Sequence, residues 1–293
     1  MPVTALALVL AAALLHASWN LVVKKSGGDH RFAFLTAVGV GVLWAPIAWW
    51  FGADELPRWN AWQWTVLAAS ALVHVVYYLT LLRGYREADL TVVYPVARGS
   101  APLVTVMAAM LLLGERLSLL AGVGVLAVCG GVFLIAGGPA LWRSVHDCAA
   151  HQRVRSGLAW GAATGLLIAV YTVIDGYAVK LLMMGPVLFD YLGNVLRIPL
   201  QAPLVWRERA TLPAVWRAQW KAALAVSVMG PLAYILVLYA VRMAPLSHVA
   251  PAREVSMLFA ALIGGRLLGE ADRGLRMAGA ACIAAGVMAL ALG

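Results

Sequence analysis

"READLTVVYPVARGSAP", residues 86–102, finds an echo in "RMAPLSHVAP", residues 242–251, which places Arg86 on Arg242 and Pro95 on Pro251 at an offset of 156. One gap away the offset is 155, and it holds over the rest of the chain: Asn20 falls on Asp175, Lys25 on Lys180, Arg98 on Arg253, Gly114-Glu115 on Gly269-Glu270, Gly124 on Gly279 and Gly131-Val132 on Gly286-Val287. Matches at one fixed spacing along most of a chain are the mark of an internal duplication. The first copy occupies 1–141 and the second 156–293, with a linker over 142–155.

Composition fixes the solvent. Of 293 residues, 63% are hydrophobic and 12% charged, and the mean hydropathy is +0.87. A soluble domain has no interior large enough for that apolar surface, so the chain reads as an all-α, multi-pass membrane protein. Apolar segments of about 17 to 25 residues match a hydrocarbon core about 30 Å thick. They fall at 2–24, 32–51, 62–83, 90–113, 117–138, 156–182, 186–206, 217–241, 247–268 and 274–292. Ten transmembrane helices divide five and five between the two copies. An odd number of crossings inverts the second copy relative to the first, the plan of inverted repeats in secondary transporters. The first segment has no positive flank or cleavage site of a secretory signal, and is read as a retained helix.

The ends "LLGERL" (112–117) and "LLGEAD" (267–272), the glycine-valine pairs after them, and the five-plus-five plan resemble the EamA-type transporters of the drug/metabolite transporter superfamily. "HASWN" (16–20), "YPVARGSAP" (94–102) and "YTVIDG" (171–176) resemble a bacterial subgroup, some members of which are associated with phosphonate use. The resemblance implies alternating access around a central cavity, movement of small metabolites, the bacterial inner membrane, and cytoplasmic termini.

Loop charge argues the opposite orientation. The face reached by the ends of the odd-numbered helices carries fifteen basic residues, among them Lys24, Lys25, Arg31, Arg207, Arg209 and Lys221, and the other face carries four: Arg58, Arg116, Lys180 and Arg242. Basic loops stay cytoplasmic, so both termini are expected in the periplasm. The same loops account for the net charge of +9 without nucleic acid.

Three arginines remain inside the spans: Arg98, Arg197 and Arg253. An arginine facing lipid at mid-bilayer costs about 2.5–3.5 kcal/mol or more, so these turn inward. Arg98 and Arg253 come from matching helices and are expected near the pseudo-twofold axis. There their guanidinium forks either hold a carboxylate, phosphate or phosphonate, or brace the repeats against acids such as Glu254. Pro95, Pro102 and Pro251 flank them and interrupt the backbone ladder, as a bend for gating or a source of free carbonyls.

In the first helix His16, Asn20 and Lys24 share one face, and Tyr171 and Asp175 repeat that spacing in the sixth. Asp190, Asn194 and Arg197 form a further stripe in the seventh helix with no charged counterpart in the second, where Leu35, Gly39 and Val42 stand. Such asymmetry suits a substrate with unlike ends. An anionic group would meet arginine, and an amine would meet Asp175, Glu254 or the aromatic faces of Trp19, Tyr77 and Tyr94. Asp175 or Glu254 is alternatively the carrier of a coupling proton. The bland alternative for Asp190 and Arg197 is an ion pair that orients helices. His74 and His248 read as satisfied interior histidines, Gly157, Gly161 and Gly165 as a packing face, and Glu115 and Glu270 as caps or interfacial ion pairs.

No enzyme signature is present: HExxH, GxSxG and GxxxxGK[ST] are all missing. "HDCAAH" (146–151) matches no zinc spacing, and Cys129, Cys148 and Cys282 form no framework, so no cofactor is expected. The expected partners are a small-molecule substrate, a coupling proton and the bilayer, and a monomer or weak homodimer suffices. The expected function is secondary transport of a small polar, anionic or zwitterionic metabolite, amino-acid-like or organophosphonate-like. Export of lipophilic cationic drugs and flipping of a lipid-linked headgroup are the alternatives.

Overall fold

The computed structural model describes residues 1–88, 90–136, 151–260 and 273–293. All regular structure among the described residues is helical. In chain order the helices are α1 (Val3–Ser26), α2 (His30–Leu43), α3 (Ala45–Gly52), α4 (Ala61–Glu87), α5 (Leu90–Leu112), α6 (Leu119–Ile135), α7 (His151–Lys180), α8 (Pro186–Trp206), α9 (Leu212–Met243), α10 (Leu246–Ala252) and α11 (Arg273–Leu292). Most of the 142–155 linker, including His146 and Cys148, lies outside the described residues, as does Glu270.

Five helices, α1, α4, α5, α7 and α9, are long and apolar enough to cross a membrane, and α6 and the Met277–Leu292 stretch of α11 are shorter apolar helices. The second expected span is two helices, α2 and α3, bent by 49°. The break falls at Trp44 because Pro46, near the start of α3, has no amide hydrogen to continue the ladder. The indole of Trp44 braces the bend, with Nε1 donating to the carbonyl of Ser227 at 2.9 Å. α8 is 21 residues long but carries Asp190, Asn194 and Arg197, and it is not among the spans recognised by apolarity.

Local chemistry sets the helix ends. Asp29 caps α2 by accepting from the amides of Arg31 and Phe32, Asn60 and Gln63 form a reciprocal capping box at α4, and Ser118 accepts from Ala121 at α6. α1 ends on Gly27, whose φ of 65° is left-handed.

The packing repeats with the sequence. α1 lies on α9 as α4 lies on α7, α2 on α9 as α4 on α8, and α2 packs directly on α8. Under the 155-residue offset these pairs exchange with one another or return to themselves. α6 and α11 show it most sharply. A Cβ at Gly131 would stand 2.5 Å from the carbonyl oxygen of Gly279, and one at Gly124 would stand 2.7 Å from that of Gly286. Since 124 pairs with 286 and 131 with 279, the helices cross antiparallel, and only glycine permits their backbones to come this close. Gly157 and Gly161 bring α7 onto Val92 and Val96 of α5 in the same way, as their spacing predicts. The largest buried cluster includes Val9, Leu67, Val128, Leu238 and Ile283 and therefore draws on both copies. Outward-facing Val42, Leu111, Leu119 and Leu126 are exposed, as lipid-facing side chains are. Trp49, Trp50, Trp62 and Trp64 are exposed near the α3–α4 connection, and Trp206, Trp216 and Trp220 near the α8–α9 connection.

Candidate functional site

The polar side chains buried inside this apolar bundle come from α1, α4, α5, α7, α8, α9 and the turn after α10. α5 runs as one helix through Pro95 and Pro102 and presents Arg98 from continuous helix. Its counterpart does otherwise. α10 stops at Ala252, Arg253 and Glu254 occupy a turn, and helix resumes at Val255. The two matched arginines therefore differ in backbone setting, and only the Arg253 side has the expected interruption, two residues after Pro251.

They differ in partners too. An Nη atom of Arg98 stands 3.6 Å from Oε2 of Glu254, the other Nη stands 3.4 Å from Nε2 of His16, and the guanidinium lies 6.0 Å from the ring centre of Tyr94. Glu254 is almost wholly buried, with 3% of its side chain exposed, and its Oε2 accepts no hydrogen bond. Among the described residues the guanidinium of Arg253 has no hydrogen bond and no ion pair within 4.0 Å, although its charge interacts with Tyr171, Glu254, His16, His74, Tyr77, Asp175, Tyr234 and Arg98. One arginine is braced and its twin is free.

Asp175, 1% exposed, accepts from the Ser70 hydroxyl at Oδ1 and from the Tyr234 hydroxyl at Oδ2. His74 of α4 places Nε2 3.8 Å from the same Oδ2 and stacks on Tyr171 with ring centres 4.0 Å apart. Tyr77 meets Tyr171 edge-on at 5.5 Å. His74 thus belongs to the charged core, where the sequence alone reads only an interior histidine. Ser70 and Tyr234 are likewise site residues that its motifs do not single out. Their spacing offers one signal: Ser70, His74 and Tyr77 fall on one face of α4 at i, i+4, i+7.

Asp190 and Arg197 do not form the direct ion pair that their spacing allows. Asn194 bridges them instead: its Nδ2 donates to Oδ2 of Asp190 at 3.1 Å, and its Oδ1 accepts from Arg197 at 3.4 Å. Nε of Arg197 is buried without a partner. On α1, His16 packs edge-on against Trp19 at 4.8 Å and reaches Arg98, whereas Asn20 turns its amide back onto the carbonyl of His16 and Lys24 is exposed at the helix end. Tyr94 donates its hydroxyl to the sulfur of Met257.

At one end of this core Glu115 ties three elements together. Its Oε1 accepts from Nζ of Lys180 at 2.8 Å and from the amide of Leu246, and its Oε2 accepts from the amide of Ser247. One carboxylate thereby joins the ends of α5 and α7 to the start of α10, the capping and ion-pair roles expected of it.

A family model described as the EamA-like transporter family matches residues 3–137 and 155–292. A solved structure described only as "Crystal structure of protein" superposes with a TM-score of 0.74 at 18% identity, covering 100% of this chain and 98% of that one, a likeness of fold. No curated protein matches the chain.

Proposed function

The chain belongs to the EamA-like transporter family, a multi-pass membrane family of transporters rather than enzymes, and on that premise we propose that it moves a small anionic or zwitterionic metabolite by alternating access. The single observation that carries the substrate class is Arg253, a guanidinium inside an apolar bundle that no carboxylate of the described residues contacts directly, its neighbour Glu254 being engaged by Arg98. Keeping such a charge unpaired in the interior is costly, and a bound carboxylate, phosphate or phosphonate relieves that cost with a bidentate pair. Arg98 holds Glu254 in place, while His16, Trp19, Tyr94, Tyr77 and Tyr171 supply the walls. Asp175, Asn194, Arg197 and Asn20 complete the polar lining, and the turn after Pro251 supplies the joint at which Arg253 changes sides. The halves 1–141 and 156–293 act as two inverted five-helix repeats joined by the 142–155 linker.

A thermal-shift screen of the purified protein tests the substrate class, since a ligand that binds the folded state raises its apparent stability. Carboxylates, amino acids and aminophosphonates are expected to stabilise it, by about 2.7 kcal/mol at a concentration of 100 Kd. Stabilisation by lipophilic cations alone would transfer the protein to the drug-export reading, and stabilisation by a lipid headgroup alone to the flippase reading.

The membrane is the bacterial inner membrane, with both termini periplasmic, a reading supported by the basic loops at Lys24–Lys25, Arg31 and Arg207–Arg209. Alkaline phosphatase fused to the C-terminus is expected to be active and GFP fused there dark. The reverse result would orient the charged loops outward and refute the assignment.

A further inference from the structure

The space between His74 and Asp175 lacks a hydrogen. Nδ1 of His74 lies 2.9 Å from the backbone carbonyl oxygen of Ser70, which can only accept, so Nδ1 carries the ring proton. The hydroxyl of Ser70, also near Nδ1, has its single hydrogen committed to Asp175. In the neutral imidazole Nε2 is then a bare lone pair, and the atom facing it 3.8 Å away, Oδ2 of Asp175, is an acceptor as well. Two acceptors face each other in a site that is 11% exposed on the histidine side and 1% on the aspartate side.

We propose that His74 and Asp175 form a proton-binding site of the transport pathway, in which a proton arriving from water forms an N–H bond at Nε2 and turns two opposed acceptors into an imidazolium–carboxylate pair. The proton leaves by the reverse step, and no other bond changes. The site draws on α4 and α7, which come from different repeats, so relative movement of the repeats opens or closes the gap that the proton occupies. Every neighbouring element contributes groups that face the pair: Ser70 and Tyr77 from α4, Tyr171 from α7, Tyr234 from α9, Asp190 and Arg197 from α8 and Arg253 from the turn after α10. The tyrosines and Ser70 are neutral; the charges whose fields reach the pair are the two arginines and the carboxylate of Asp190 on α8, which faces Asp175 as a like charge.

The proposal rests on the transporter reading above and deepens it by naming the coupled ion. Within the spans the three guanidiniums of Arg98, Arg197 and Arg253 match in number the three carboxylates of Asp175, Asp190 and Glu254, so the charges balance whenever His16, His74 and His248 carry no extra proton. A monoanion at Arg253 upsets that balance by one negative charge, and a proton at His74 restores it. The loaded core then has the same net charge as the empty one, and its rearrangement avoids the cost of about 2.3 kcal/mol per elementary charge per 100 mV of membrane potential.

The test is nitrogen NMR of the full-length protein with 15N-labelled histidine, titrated from about pH 9 to about pH 4. The chain has six histidines, and the His74 signal is identified by its loss in His74→Gln. Expected at the alkaline end is an imidazole protonated at Nδ1 only, and on acidification a second proton at Nε2. Asp175→Asn removes the counter-charge and is expected to need at least about tenfold more protons for the same loading. Tyr234→Phe leaves the carboxylate but removes a donor to the same oxygen, and is expected to load at lower proton concentration; it keeps the proposal testable if the asparagine variant fails to fold. A proton on Nε2 at the alkaline end, no second proton down to the acidic end, or identical titration in wild type and variants would each overturn the site. No substrate is needed, so failure here and failure of the anion-transport reading are separate results.

Discussion

Arg98→Ala lowers the unfolding stability of the detergent-solubilised protein by about 3–5 kcal/mol, the cost of removing one member of a buried ion pair. The size follows from what is left behind. Glu254 is 2% exposed, Arg98 is the only cation within 4.0 Å of it among the described residues, and its Oε2 accepts no hydrogen bond that could stand in. The variant also strips His16 of its polar contact to the first repeat's arginine. Chemical denaturation of wild type, Arg98→Ala, Glu254→Gln and the double variant measures the loss and its origin. The double variant is expected to recover most of it, because no charge is then stranded. Additive losses would show that Arg98 acts through packing and not through Glu254.

Arg253→Ala behaves in the opposite sense. Its guanidinium has no partner to strand, so the unfolding midpoint is expected to hold or rise, since removing an unpaired interior charge removes its desolvation cost. Binding is lost instead. A charge-assisted bidentate contact to an anion costs about 2–5 kcal/mol when truncated, which at 1.4 kcal/mol per factor of ten is a loss of at least about 30-fold in affinity. Titrating the stabilising anion or zwitterion against both proteins reads this directly. Arg253→Lys keeps the charge but not the fork and is expected to fall between them. Equal affinity in wild type and Arg253→Ala would remove Arg253 from the substrate site.

The contrast between two residues that occupy the same place in the repeat marks where sequence reasoning stops. The duplication itself is legible, because glycines at helix crossings and charges at helix ends are fixed by local requirements that each copy must meet. Gly124, Gly131, Gly279 and Gly286 are all found by the offset, and all four stand at one crossing. What the offset cannot carry is divergence between the copies. Arg98 and Arg253 align, yet one sits in continuous helix 3.6 Å from the carboxylate of Glu254 and the other in a turn whose own Glu254 is engaged by Arg98, a difference set by how the helices are brought together. Asp190 and Arg197 illustrate the same limit within one helix, where the spacing permits a direct pair but the intervening Asn194 supplies shorter bonds to each. His74 reads from sequence only as an interior histidine because its partner, Asp175, is 101 positions away and lies across a repeat boundary. Glu115 was legible as a cap, but its target, the start of α10 in the other repeat, was not.

The glycine crossing of α6 and α11 has a mechanical consequence. If the two repeats trade conformations as the cavity changes sides, each contact is replaced by its image under the 155-residue offset. The pairs 124–286 and 131–279 are images of one another, so the crossing is the same before and after. In the proposed cycle it is a fulcrum, a place where the molecule turns without repacking. The tie from Glu115 to Lys180 and the start of α10 has no such invariance, since the offset carries Lys180 onto Lys25, a different residue at the end of α1. In the proposed cycle the work therefore falls on polar contacts such as this tie, while the backbones that touch most closely stay still.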